Sequence, residues 1–170
     1  RDRLFFYQDK AFGIASIDDQ AVITDESGQT MVLGTGGVFP NYGYISVNTG
    51  TVHQLAVAAT EQAIYHFDSR LKKLFKYSEG TSPLSDIKGM SSFFAKNITG
   101  AITKNDFTLR HLDGGPIGVH GEADYRYNRV LFTFLKGDDE KYTISYNEML
   151  DAFESFYTYT PGLYLQYGRR

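Results

Sequence analysis

The sequence predicts a mainly β fold, organised as propeller-like blades of antiparallel strands with one short helix near residues 86–96. Three observations carry this expectation. The 170 residues hold 13 Tyr and 13 Phe but no Trp, and such rings favour half-buried pleated strands. There are 17 Gly against 4 Pro, a balance that supplies hairpin turns. Apolar residues alternate at period 2 through several strand, turn, strand units. A β-sandwich or barrel, which also spaces its hairpins evenly, is the alternative architecture.

The first third supports this element by element. Leu4 to Tyr7 and Phe12 to Ile17 are apolar runs. Ala21 to Thr24 and Thr30 to Leu33 flank Asp25-Glu26-Ser27-Gly28-Gln29, a hairpin connection in which Gly28 is free to adopt positive φ. Gly34-Thr35-Gly36-Gly37 closes that unit. Val38 to Thr51 contains Pro40-Asn41, Gly43, Asn48 and Gly50, and reads as a surface loop around a short strand.

A second unit follows. Val52 to Ala59 sets Leu55, Val57 and Ala59 on one face, and Ala63 to Phe67 does the same with Ala63, Tyr65 and Phe67. Asp68-Ser69-Arg70 turns the chain into Leu74 to Tyr77, closed by Glu79-Gly80. The period then changes: Ile87, Met90, Phe94 and Ile98 are spaced for a helix behind a cap at Ser85 or Asp86, with Gly89 as a weak point.

The last third returns to β patterning. Arg129 to Leu135 alternates Val130, Phe132 and Phe134, and 136–140 turns it into Tyr142 to Tyr146, the clearest hairpin of the chain. Asn147 to Thr160 fits either a helix turn or a strand, Pro161-Gly162 stops it, and Leu163 to Tyr167 begins a final strand. At one constant offset Tyr65, Phe67, Phe75, Tyr77 and Ser78 fall on Phe132, Phe134, Tyr142, Ile144 and Ser145. About three blade units follow, roughly 1–37, 51–98 and 118–161, within a single β-rich domain or a segment of a longer propeller protein. A start at Arg1-Asp2-Arg3-Leu4 and a stop at Gly168-Arg169-Arg170 are what such a segment would show.

Charge and composition exclude several functions. Seventeen basic and 20 acidic residues leave a formal charge of −3, so binding by phosphate neutralisation would need a local basic patch. The short clusters Arg70, Lys72, Lys73 and Arg169, Arg170 read as solvated turns. The absence of Cys removes disulfides, thiolate zinc sites and cysteine nucleophiles together. No apolar run approaches the roughly 20 residues of a membrane-spanning helix.

The one constellation that suggests chemistry is His120-Gly121-Glu122-Ala123-Asp124. An extended chain places His120, Glu122 and Asp124 on one face, as a nitrogen and oxygen metal site or an acid and base pair requires. Without a Pro-Cys-x-x-Cys partner the zinc-deaminase pattern is incomplete, and solvated polar residues on an exposed strand are the favoured reading. Gly34-Thr35-Gly36-Gly37 lacks the Lys and Ser/Thr of a phosphate loop. His66 and Asp68 share a strand side but no serine sits in a nucleophile elbow. Asp18-Asp19 and Asp138-Asp139-Glu140 fall in turns, which weakens a glycosidase pair. Asn97-Ile98-Thr99 is a glycosylation sequon read as unused. Thr24 to Met31 resembles the Asp-box hairpin of sialidase-type propellers, a structural turn, with Glu26 for Asp and Met31 for Trp. No catalytic residue, metal or cofactor is assigned.

Twelve aromatic residues between Tyr125 and Tyr167 supply large apolar area with hydroxyl tips, suited to sheet packing and to subunit contacts. Tyr65-His66-Phe67-Asp68-Ser69-Arg70 through Leu84 to Met90, and Asp124 to Phe134 through Tyr142 to Glu148, resemble the large propeller-bearing tail proteins of crAss-like phages, termed muzzle, nozzle-like or stabilisation proteins. The resemblance spans about residues 34–165. It implies a non-enzymatic ring component of the virion tail near the portal, part of the conduit for genome ejection and assembled in the host cytoplasm. Its implied partners are copies of itself and neighbouring tail and portal proteins, with genomic DNA passing without sequence-specific contact. A carbohydrate-binding or glycan-hydrolysing propeller is the alternative, with Asp68, Glu122 or Asp124 as its acids.

Overall fold

Among the described residues, alternating apolar residues and glycine turns produce 13 strands and two short helices in the computed structural model. It describes residues 3–16, 21–24, 30–33, 41–98, 117–136, 140–161 and 164–165. The chain divides into two compact units, Arg1–Thr49 and Gly50–Arg170.

In the first unit β1 (Arg3–Tyr7), β2 (Phe12–Ser16) and β5 (Asn41–Ser46) form an antiparallel sheet in the order β1-β2-β5. The strand expected inside the 38–51 loop is β5. Between β2 and β5, β3 (Ala21–Thr24) and β4 (Thr30–Leu33) pair as the expected hairpin, Thr24 opposite Thr30. Its connection lies outside the described residues, as do Asp18-Asp19, most of the Asp-box-like segment and Gly34-Thr35-Gly36-Gly37. Register sorts the sheet's side chains: Leu4, Ala15 and Tyr42 share one row, and Phe6, Gly13 and Tyr44 the next. Gly13 is required there, because a Cβ would come within 2.4 Å of both the Phe6 ring and the Gly43 carbonyl oxygen. On the opposite face Phe12 is fully buried and stacks on Tyr7.

The second unit is built from two four-stranded antiparallel meanders. One comprises β6 (Val57–Ala59), β7 (Ile64–Asp68), β8 (Lys73–Tyr77) and β9 (Thr81–Pro83); the other comprises β10 (Ile117–Asp124), β11 (Arg129–Lys136), β12 (Glu140–Asn147) and β13 (Ala152–Tyr157). Each sheet is an open ladder in sequence order. One core joins them: Tyr65, Phe67 and Leu74 from the first and Val119, Val130, Phe132, Phe134, Ile144 and Tyr146 from the second. Phe67 meets Phe134 edge to face at 4.8 Å, and Tyr65 approaches Tyr146 at 5.8 Å. The Gly121 N–H donates to the Leu55 carbonyl at 2.7 Å, which brings the leading strands together.

Several expectations are corrected by the structure. Ala56 and Ala58, rather than Leu55, Val57 and Ala59, face the core, since small residues leave room for the neighbouring Tyr65 and Phe67 rings. The single helix near 86–96 is two, α1 (Leu84–Ile87) and α2 (Ser91–Asn97). Gly89 between them has φ +77°, a left-handed conformation that ends a helix, and Ser85 is not a cap: its buried hydroxyl accepts from the Leu74 N–H. The repeat aligns β7 with β11, but β8 slips by one residue against β12. Phe67 is opposite Leu74, whereas Phe134 is opposite Tyr142. A one-residue slip reverses every side chain, so Phe75 and Tyr77 leave the core face that Tyr142 and Ile144 occupy. Residues 152–157 resolve as strand β13, and the described part of the expected final strand, Tyr164 and Leu165, has no strand pairing.

Candidate functional site

Alternation along β10 places His120, Glu122 and Asp124 on the face of the second sheet turned away from the core, as the spacing predicts. Their rows differ. His120 is opposite Thr133, which is opposite Thr143; Glu122 is opposite Leu131 and then Ser145; Asp124 is opposite Arg129 and then Asn147. His120, Thr133, Thr143 and Ser145 are all buried, so the expectation of an exposed polar strand fails in these rows. The chain after β13 returns over them: Thr143 Oγ1 donates to the Tyr159 carbonyl at 2.7 Å, and the Tyr164 hydroxyl bonds Thr133. Glu122 and Asp124, toward the end of the strand, stay partly exposed.

These residues hold one another. Arg129 Nε donates to Asp124 Oδ2 at 2.9 Å, and its guanidinium bonds the Tyr157 hydroxyl between the Tyr127 and Tyr157 rings. Glu122 Oε1 accepts from the Ala123 N–H, and Asn147 donates to Glu154 at 2.8 Å. Among the described residues no group of three His, Asp or Glu is placed to hold a metal ion. A network of this kind fixes strand ends and turns.

Beside it, the turns after β6 and β10 enclose a cleft of about 60 Å³, lined by Thr60, Glu61, Gln62, Asp124, Tyr125, Asn128, Arg129 and Glu148. That is room for about two waters, far below the roughly 300 Å³ at which small-molecule pockets begin. Glu148 Oε1 accepts from the Thr60 hydroxyl at 2.7 Å and the Tyr65 hydroxyl at 2.8 Å, which ties the two sheets at this end.

His66 and Asp68 also share one side of β7, away from the core, and are engaged separately. His66 stacks on Phe75 with ring centroids 5.3 Å apart, and burial pulls its pKa down to about 4. Asp68 accepts from the Leu71 N–H at 2.9 Å and the Gly50 N–H at 3.3 Å, bracing the turns around it. In the sequon, the Asn97 amide donates to the Phe93 carbonyl, and Thr99 lies outside the described residues, as do Asp138 and Asp139.

A concave surface that sequence reasoning did not anticipate lies on the first unit. Leu4, Phe6, Gln8, Ala15, Tyr42 and Tyr44 line an open apolar groove of about 300 Å³ on sheet β1-β2-β5. Phe6 packs edge to face against Tyr42 and Tyr44, yet Tyr42 is 71% and Tyr44 50% exposed. The signal was available in Tyr42 and Tyr44 at period 2. Turn residues on both sides made that stretch read as loop. Next to Glu148, at the same end of the second sheet as the small cleft, Met149 and Leu150 project from the turn between β12 and β13 at 75% and 66% exposure.

The polar groups of these features brace strand ends and turns of the chain itself. None of the curated proteins matches the chain. A family model described as Crassvirus muzzle protein matches residues 1–170. The chain therefore belongs to the Crassvirus muzzle protein family and is a structural protein of the virion of a crAss-like phage.

Proposed function

We propose that this protein is a non-enzymatic ring component of the phage tail near the portal, contributing to the conduit through which the genome leaves. The two meanders of Gly50–Arg170 are, in this reading, neighbouring blades of a propeller. The observation that carries it is the face-to-face pairing of two sequential four-stranded sheets through Phe67, Phe134, Tyr65 and Tyr146, the way propeller blades pack. Its partners are further copies and neighbouring tail and portal proteins. Assembly takes place in the host cytoplasm. A formal charge of −3 suits a conduit wall that does not grip passing DNA.

The glycan-cleaving alternative needs two acids across a sugar-sized cleft. Here the small cleft is lined by acids bonded to Arg129, Thr60 and Tyr65. Glu122→Gln and Asp124→Asn are expected to leave particle assembly intact. Loss of a glycan-cleaving activity on either change would overturn the structural reading. The wider proposal is tested by native mass spectrometry of purified tails with a denatured control. A multi-copy complex containing this chain supports it; a free monomer carrying a stoichiometric sugar or metal contradicts it.

A further inference from the structure

We infer that β5 is a pairing edge for a second copy of this chain: two β5 strands run antiparallel about Gly43 and join the three-stranded sheets of two molecules into one continuous sheet. Every group the contact uses lies in sheet β1-β2-β5 of the first unit. β5 is an outer strand, with β2 on one side and no strand of the described residues on the other. An edge strand points a row of N–H and C=O groups outward, a template for another strand. Folded proteins blunt such edges with lysine, proline, inward charges or bulges. Asn41-Tyr42-Gly43-Tyr44-Ile45-Ser46 has no charge and no proline. Its one irregularity falls at Ile45, across from the Phe12–Gly13 step, which leaves Asn41 to Tyr44 in regular register, and these four residues are all exposed.

The symmetry of the strand selects a second β5 as its occupant. Tyr42 and Tyr44 flank Gly43 on one face of the sheet, so antiparallel pairing centred on Gly43 sets Tyr42 opposite Tyr44 of the second copy, twice, and glycine opposite glycine. Aromatic pairs directly opposite each other stabilise an antiparallel ladder, and a strand without charge brings no like charges together when it pairs with itself. A Cβ at Gly43 would meet nothing within 4 Å, so the centre of the strand is also open on the face away from the tyrosines. The rings are held ready. Phe6 meets Tyr42 and Tyr44 edge to face at 6.4 and 5.6 Å, and the Tyr44 hydroxyl donates to Gln8, while the two rings stay 71% and 50% exposed. Side chains already placed cost less to order on association. The pairing goes beyond the ring reading and does not depend on it: an isologous contact closes on itself, so it joins two copies and leaves any ring closure to other surfaces.

The chain has no Cys, which permits a clean test. Full-length proteins carrying Tyr42→Cys and Tyr44→Cys are mixed and oxidised with glutathione disulfide. Directly opposite positions lie about 4.5–5.5 Å apart between Cα atoms, within disulfide reach. Two copies of the same variant meet only on the diagonal, at about 7–8 Å. The mixed disulfide dimer is therefore expected in about tenfold excess over either same-variant dimer. A statistical mixture, or no mixed dimer, overturns the pairing. The second test reads self-association by sedimentation equilibrium. Tyr42→Lys with Tyr44→Lys sets like charges opposite each other and should weaken self-association at least about tenfold, as should Tyr42→Glu with Tyr44→Glu. Mixing the lysine and glutamate proteins should restore the dimer, because opposite charges then face each other, and this restoration also shows that both variants are folded. Unchanged self-association of either variant, no dimer on mixing, or an unsubstituted protein that stays monomeric at millimolar concentration overturns the proposal.

Discussion

The two meanders of Gly50–Arg170 share an inner design and differ on their outer faces. In β6–β9, with strands of three to five residues, the outer face carries His66 stacked on Phe75 and Asp68 bonded to backbone. In β10–β13, with strands of six to eight residues, it carries Thr133, Thr143 and Ser145 in a hydroxyl network, with Arg129 and Asp124 at the strand end. The inner faces meet in one aromatic core. The contrast teaches that inward alternation specifies how the sheets pack on each other, whereas outward residues specify what each sheet meets next.

The harshest way to break the comparison is a charge in the shared core. Phe134→Asp places a carboxylate among Phe67, Phe94 and Tyr142, and an unpaired buried charge is intolerable at this depth. The second unit should lose cooperative thermal unfolding. A native near-ultraviolet spectrum would refute a common core.

The first sheet's outer face is probed through pH. Unfolded His66 takes up a proton near 6.5, and the folded residue resists until about 4. Between those values the unfolded state binds more protons, so stability falls as pH is lowered and rises as pH returns. The loss across the window is roughly 3 kcal/mol. His66→Phe, which keeps the stack on Phe75, should flatten this part of a stability-against-pH curve measured by urea unfolding; an unchanged slope would show that His66 is not the group responsible.

Two smaller effects sharpen the contrast. A Cβ at Gly121 would lie 2.6 Å from the Phe132 ring, so Gly121→Ala should cost about 2 kcal/mol by displacing a fully packed ring. A cost near zero would mean that the core yields more easily than its burial implies. Glu148→Ala removes the acceptor shared by Thr60 and Tyr65 and should cost about 1.5 kcal/mol. Hydrogen exchange should rise at the β6–β7 turn and stay unchanged in the middle of β11; equal change in both would contradict a latch at one end of the sheet pair.

Much of this architecture was legible in the sequence because period 2 survives where one face is apolar. Val130, Phe132 and Phe134 marked β11, and Ala63, Tyr65 and Phe67 marked β7. Legibility failed where the signal was tertiary. Thr81–Pro83 pairs with β8 although it holds a proline, since an edge strand tolerates one. Gly89 split a helix that spacing alone made continuous. Alternation placed His120, Glu122 and Asp124 on one face, but the rows of Thr133 and Thr143 on that face are met by Tyr164 and Tyr159, residues distant in sequence. The exposed groove around Tyr42 and Tyr44 was missed because Pro40, Gly43, Asn48 and Gly50 made that stretch read as loop, although the two tyrosines stand at period 2.

The most direct test is a cryo-electron microscopy reconstruction of intact crAss-like phage particles bearing this protein. The account predicts several copies around the tail axis, each with β6–β9 and β10–β13 stacked as adjacent sheets and Phe67 against Phe134. Density for the protein away from the tail, or with the two sheets separated, would contradict it.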